Sequence, residues 1–122
     1  MQVTIFSFGY KHGLPEADTI WDMRFLPNPY YVPELKEYTG LDTRVSSYVL
    51  QNSVAQEFLN LFDPLLVFFI DNHAAAGREV LSLAVGCTGG RHRSVAIVEH
   101  LRRMLNNRQK KLHVFHRDID KE

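Results

Sequence analysis

One stretch, Gly86-Cys87-Thr88-Gly89-Gly90-Arg91-His92-Arg93-Ser94, concentrates the residue types that handle anions. It follows an apolar run and opens a helical pattern. A glycine-rich turn between strand and helix lets successive backbone N–H groups converge on one point, and the helix N-terminus adds partial positive charge there. Arg93 supplies a planar, two-pronged donor for a phosphate group, with Thr88 and Ser94 as hydroxyl donors. The turn is expected to cradle an anion through Cys87, Thr88, Gly89, Gly90, Arg91, His92, Arg93 and Ser94. A plain tight turn with Cys87 packed as a small apolar side chain explains the glycines but not Arg91-His92-Arg93. Neither G-x-x-x-x-G-K-[ST] nor G-x-G-x-x-G occurs in the chain, so the common nucleotide-loop patterns do not apply.

The same turn has the spacing C-x-x-G-x-x-R-S, that of cysteine-dependent phosphatases. In that chemistry a thiolate attacks phosphorus, backbone amides hold the phosphoryl oxygens and the arginine clamps the transition state. Cys87 as nucleophile and Arg93 as clamp form the enzymatic alternative, favoured by the cations beside the thiol. Such enzymes usually carry a histidine before the cysteine, where this chain has Gly86. They also need a general acid, for which Asp22 and Asp118 are the only candidates. Catalysis therefore ranks behind binding.

Gly9-Tyr10-Lys11-His12-Gly13 is a second cluster, an imidazole and a cation bracketed by glycines. If the first strand lies beside the third in a parallel sheet, this loop shares an edge with the Cys87 turn, and His12 becomes a ligand contact. The histidines lack metal-ligand spacing and a single cysteine cannot build a thiolate zinc site, so neither a metal nor another cofactor is expected. One cysteine also forms no internal disulfide, which favours a reducing, cytoplasmic setting.

The net charge of zero conceals an asymmetry. Residues 1–77 carry four basic and nine acidic side chains; residues 78–122 carry ten basic and five acidic. Between Arg91 and Arg117 the balance is eight to one, with four histidines besides. Such a block meets an anion or forms a solvated helix face. Arg102, Arg103, Arg108, Lys110, Lys111 and Arg117 are the candidate contacts to RNA phosphates.

The elements that must position these groups follow from the hydrophobic pattern. With 122 residues, 45% of them apolar and 23% charged, the chain reads as one unit over residues 1–122 with no repeat or linker. Val3–Phe8 alternates as a strand ending at Gly9, and Thr19–Phe25 reads as another, stopped by Leu26-Pro27-Asn28-Pro29. Tyr30–Thr39 reads as loop. Asp42 or Thr43 caps a helix to Leu50, and Asn52 or Ser53 opens a longer one to Ala76, which Pro64 should kink or divide. Val80–Val85 is apolar at nearly every position, as in a strand buried on both faces. Arg91–Leu105 is a helix and Leu112–Phe115 a last strand. Alternating strands and helices predict a three-layer α/β domain with a small, mainly parallel sheet flanked by helices. The longest uncharged apolar run, Pro64 to Ile70, is too short for a membrane span.

Ser7–Gly13, Asp22–Pro29, Thr39-Gly40-Leu41-Asp42, Gly86–Val95 and His116-Arg117-Asp118 follow in this order, and together they resemble the C-terminal domain of the RapZ RNase-adapter family. The resemblance runs from about Ile5 to Asp118. It implies a domain that binds a small regulatory RNA, senses glucosamine-6-phosphate and self-associates as a homo-oligomer. It also implies that the glycine-rich turn (Cys87 to Ser94) and His12 form the metabolite pocket. Family members carry a nucleotide-binding domain with a Walker loop ahead of this one, so the 122 residues read as a stand-alone or a truncated form. The RNA-binding members end in a basic segment, whereas this chain ends Asp118-Ile119-Asp120-Lys121-Glu122, which weakens RNA contact. The expectation is a sensor or adapter domain for a phosphorylated metabolite, with RNA contact as the weaker addition.

Overall fold

The computed structural model describes all residues from Met1 to Glu122. Its elements are β1 (Gln2–Gly9), β2 (Thr19–Asp22), α1 (Thr43–Leu50), α2 (Ser53–Ala75), β3 (Val80–Cys87), α3 (Arg93–Leu105) and β4 (Leu112–His116). The four strands form one sheet in the order β2-β3-β1-β4, and every pairing is parallel. The α/β class expected from the sequence is the class observed.

The pleat divides the sheet's side chains. Odd-numbered residues Val3, Ile5, Leu81, Leu83 and Val85 share one apolar core with the buried faces of all three helices, including Val45, Val49, Leu59, Phe62, Ile97 and Leu101. Even-numbered Phe6, Phe8 and Ala84 form a smaller cluster on the other face, against Tyr10, Ala17 and Ile20. The layer on that face is the connection between β1 and β2, which holds one 3-10 turn at Tyr10–His12 and no α-helix, Gly13 and Pro15 interrupting it.

Local chemistry sets the boundaries. Asp42 caps α1 by accepting the Arg44 N–H at 2.9 Å, and Asn52 caps α2 by accepting the Ala55 N–H at 2.9 Å. Gly77, at φ +90, follows the end of α2. Two expectations need correction. Strand β2 stops at Asp22: the Met23 N–H makes the last ladder bond, to the Gly86 carbonyl, and the chain then turns so that Leu26 bonds back to Met23. Pro64 does not divide α2, which runs unbroken for 23 residues while its buried side is held in the core. At ~1.5 Å per residue that helix is long and apolar enough to cross a membrane, yet it supplies Ala55, Leu59, Phe62, Leu66 and Ile70 to the core. Val54, Leu61, Leu65 and Phe68 on its outer side are exposed.

Candidate functional site at the carboxyl edge of the sheet

Because the strands are parallel, their C-terminal ends meet at one edge. The register sets Gly9 opposite Cys87, Asp22 opposite Gly86 and Ser7 opposite His116. The loop after β1 thus lies beside the turn after β3, and the Lys11 N–H donates to the Thr88 carbonyl at 3.1 Å. The two loops touch at glycines. A Cβ at Gly9 would lie 2.5 Å from the Gly89 carbonyl carbon, and one at Gly90, where φ is +76, would lie 2.5 Å from the Gly9 nitrogen. Only hydrogen fits at either position.

The turn presents donors. None of the backbone N–H groups from Thr88 to Arg93 donates to any group of the protein. The next amide, of Ser94, points at Cys87 Sγ (3.4 Å), and the Ser94 hydroxyl lies 3.2 Å from the same sulfur. Helix α3 begins at Arg93, two residues later than the hydrophobic pattern suggests, so the row of free amides ends at its first residue. A cavity of about 540 Å³ opens over this turn, bounded by Cys87, Thr88, Gly89, Arg91, His92 and Arg93. Its remaining walls are Lys11, Asn28, Tyr30, Tyr31, Lys36, Glu37 and Glu122.

Arg93 is 5% exposed. One nitrogen, Nη1, donates to the Arg24 carbonyl at 2.8 Å and reaches the Leu26 carbonyl at 3.4 Å; Nη2 reaches Thr88 Oγ1 at 3.4 Å. Its Nε is buried with no partner. The guanidinium therefore ties the Met23–Leu26 turn to the helix and leaves Nε, buried, without a protein partner. His92 is also buried, with Nε2 3.1 Å from the Lys36 carbonyl, so both residues anchor the wall that runs from Arg24 to Gly40. Burial, reinforced by the neighbouring Arg91 and Arg93, holds the His92 imidazole below its ordinary value despite the carbonyls around it. The ring is neutral near pH 7.

Neither carboxylate considered as a general acid is built to hold a proton. Asp22 is gripped by the Arg24 guanidinium at 2.7 Å, which lowers its carboxyl below the usual range. Asp118 is fully buried. That burial is outweighed by Arg117, the Gly9 N–H and Lys121, which hold its carboxyl far below the usual range. The half-buried string of Ser7 Oγ, His116 and Glu99, each contact 2.7 Å, has triad chemistry but a fully covered serine; it fastens β4 to β1 and α3.

The family model for the RapZ C-terminal domain matches residues 1–120. The chain belongs to the RapZ C-terminal domain family. It is 49% identical over 123 residues to a nucleotide-binding protein of Caldicellulosiruptor bescii, covering all of this chain and 42% of that protein. A nucleotide-binding protein of Geotalea daltonii is 49% identical over 122 residues, with 99% of this chain and 43% of its own length covered. One from Clostridium botulinum is 46% identical over 121 residues, with 98% and 41% covered. The chain spans about two-fifths of the length of the curated relatives it matches.

Within this RapZ C-terminal domain most of the expected contact set comes together, and three members stand back from the cavity. Gly90 lies beneath Gly9, Ser94 lies behind Cys87, and His12 is not among the lining residues although its Nε2 is buried and unpartnered. Lys11 faces the cavity instead. The sequence had marked that loop, but nothing in it says which of two neighbours faces the ligand. Tyr30, Tyr31, Lys36 and Glu37 were missed because proline-punctuated loop carries no periodicity to read. Glu122 was missed because a terminal residue has no pattern around it. No three His, Cys, Asp or Glu side chains converge as metal ligands.

The basic set beyond the pocket divides. Arg102 pairs with Glu99 at 3.2 Å, Arg108 with Asp71 at 3.2 Å, and Arg117 with Asp118 at 2.8 Å. Arg103, Lys110 and Lys111 are exposed and form no ion pair.

Proposed function

We propose that the domain binds a phosphorylated small molecule with its phosphate oxygens on the amides of Thr88 to Arg93. The observation that carries this is the uninterrupted row of amides without protein acceptors, at a helix N-terminus, beside the buried and unpartnered Nε of Arg93. A buried guanidinium donor costs free energy when unpaired, and a row of free amides at a helix N-terminus favours an anion. Lys11, Lys36 and Arg91 on the walls add charge for the same ligand. A sugar phosphate such as glucosamine-6-phosphate suits a cavity that also holds the carboxylates of Glu37 and Glu122, which can receive an amino group. The name shared by the relatives, nucleotide-binding protein, is compatible with a phosphate-bearing ligand. Isothermal titration with inorganic phosphate and glucosamine-6-phosphate tests the reading: both bind, the sugar phosphate more tightly, and both lose affinity in Arg93→Ala. Equal affinity in wild type and Arg93→Ala would sink it.

The domain's role is then sensing or adapting, with RNA contact and self-association as further proposals. Arg103, Lys110 and Lys111 are the cations available to RNA phosphates. The exposed side of α2 offers apolar surface to a second copy.

A second reading, cysteine-dependent phosphoryl transfer, has one observation in its favour: the Ser94 amide points at Cys87 Sγ and the Ser94 hydroxyl lies 3.2 Å from it, where a nucleophilic sulfur would find partners. Against it stand the two ion-paired carboxylates, both held below the usual carboxylate range, which disfavours the proton that a leaving group needs. Hydrolysis of an aryl phosphate by wild type that disappears in Cys87→Ser supports the second reading; no turnover in either protein supports the first.

A further inference from the structure

We infer that the C-terminal turn, residues 117–122, is a working wall of the anion pocket, and that Asp118 is the positioning residue that sets it. The inference rests on the binding site proposed above. Asp118 is fully buried where the loop after β1 meets the glycine-rich turn. Its Oδ2 accepts the Gly9 N–H at 2.7 Å, and a Cβ at Gly90 would lie 3.0 Å from the Asp118 Cβ. The carboxylate thus fixes one loop directly and backs the other at its closest point.

The same carboxylate builds the turn that follows it. Oδ2 accepts Arg117 Nη2 at 2.8 Å, Oδ1 accepts Lys121 Nζ at 2.7 Å, and the Lys121 N–H closes onto the Asp118 carbonyl at 3.1 Å. Within the turn so formed, the Ile119 carbonyl accepts Arg91 Nε at 3.0 Å, and Glu122 lines the cavity. Arg91 is therefore held at its Nε by the C-terminal turn, leaving its two terminal nitrogens for a ligand. Arg117 Nη2 also donates to the Gly13 carbonyl at 2.7 Å, which closes the far end of the Lys11 loop onto the same cluster.

The expected consequence is coupling between Asp118 and Arg91. Inorganic phosphate is titrated into wild type, Asp118→Ala, Arg91→Ala and the double variant, with melting temperatures measured in parallel. Each single substitution weakens binding about tenfold, and the double variant is little weaker than either single, because both remove the same oriented cation. Asp118→Asn keeps an acceptor for the Gly9 N–H but loses the charge that gathers Arg117 and Lys121. It falls between wild type and Asp118→Ala, and it is the variant that decides the matter if Asp118→Ala does not fold. Arg103→Ala, outside the pocket, shows no coupling with either. Wild-type affinity in a folded Asp118 variant, or losses that multiply in the double variant, overturn the inference while leaving the pocket in place. Failure of the wild-type protein to bind phosphate removes the pocket reading and this inference with it.

Discussion

Arg93 joins a structural role to the proposed binding role, and replacing it with alanine separates them. The side chain is 5% exposed and donates a 2.8 Å bond to the Arg24 carbonyl, with two longer contacts of 3.4 Å to Leu26 and Thr88. A bond from a charged donor is worth about 1.5–3 kcal/mol, and the two long contacts together add about 1. The cavity left under a buried long side chain adds about 1 more. Relief from burying a guanidinium with an unpartnered Nε offsets part of this, about 1 kcal/mol. The net is a destabilisation of about 3 kcal/mol. For a chain of this length that lowers the melting temperature by about 12 °C. Phosphate at a hundred times its Kd stabilises wild type by about 2.7 kcal/mol, which raises the melting temperature by about 10 °C, and leaves the alanine variant nearly unmoved. Differential scanning fluorimetry with and without phosphate reads both effects. Arg93→Lys, a point charge unable to span two carbonyls and an anion, falls between the two proteins. A variant that melts within about 2 °C of wild type and responds equally to phosphate refutes the reasoning.

Three further outcomes follow from the same geometry. Gly90→Ala forces a side chain into a φ of +76 and against the Gly9 backbone, so it should destabilise by at least about 1–2 kcal/mol and abolish anion binding; an unaltered melt refutes the close approach. The folded His92 resists protonation while the unfolded ring does not, so stability should fall as pH drops below about 6.5, until the folded imidazole itself titrates. His92→Gln, which can still donate to the Lys36 carbonyl, should lose that part of the slope in pH-dependent denaturation, and an unchanged slope contradicts the assignment. If RNA binds, filter-binding affinity should fall by about 0.7 to 0.9 log units per log unit of salt for each phosphate contact, and neutralising Arg103, Lys110 and Lys111 together should flatten that slope; no binding at low salt leaves a metabolite domain without an RNA role.

The strands and the carboxyl-edge site were legible because they rest on short-range rules. Val80–Val85 declares an inner strand through apolar residues at all positions but Ser82, and Gly86–Ser94 declares a strand-to-helix turn through glycines followed by cations. The α3 boundary was misplaced by two residues because His92, buried and bonded to the distant Lys36 carbonyl, is fixed by tertiary contact and not by capping propensity. The continuity of α2 through Pro64 was hidden for a similar reason: the packing of Phe62 and Leu66 holds a helix that the local pattern would break. Asp118 shows the limit most sharply. In sequence it is an acid in a polar tail, eligible for proton transfer. In the fold it is a buried acceptor among Gly9, Arg117 and Lys121, a role set by residues more than a hundred positions away as much as by its neighbours.

The central claim is that the amides of Thr88 to Arg93 and the Arg93 Nε hold a phosphate group. A crystal structure of the protein soaked with glucosamine-6-phosphate tests it directly. The account predicts the phosphate over the Cys87 turn, its oxygens within hydrogen-bond distance of those amides and of Arg93 Nε, with the sugar extending toward Lys36 and Glu37. A ligand bound elsewhere, or a turn whose amides remain unengaged at saturating ligand, contradicts it.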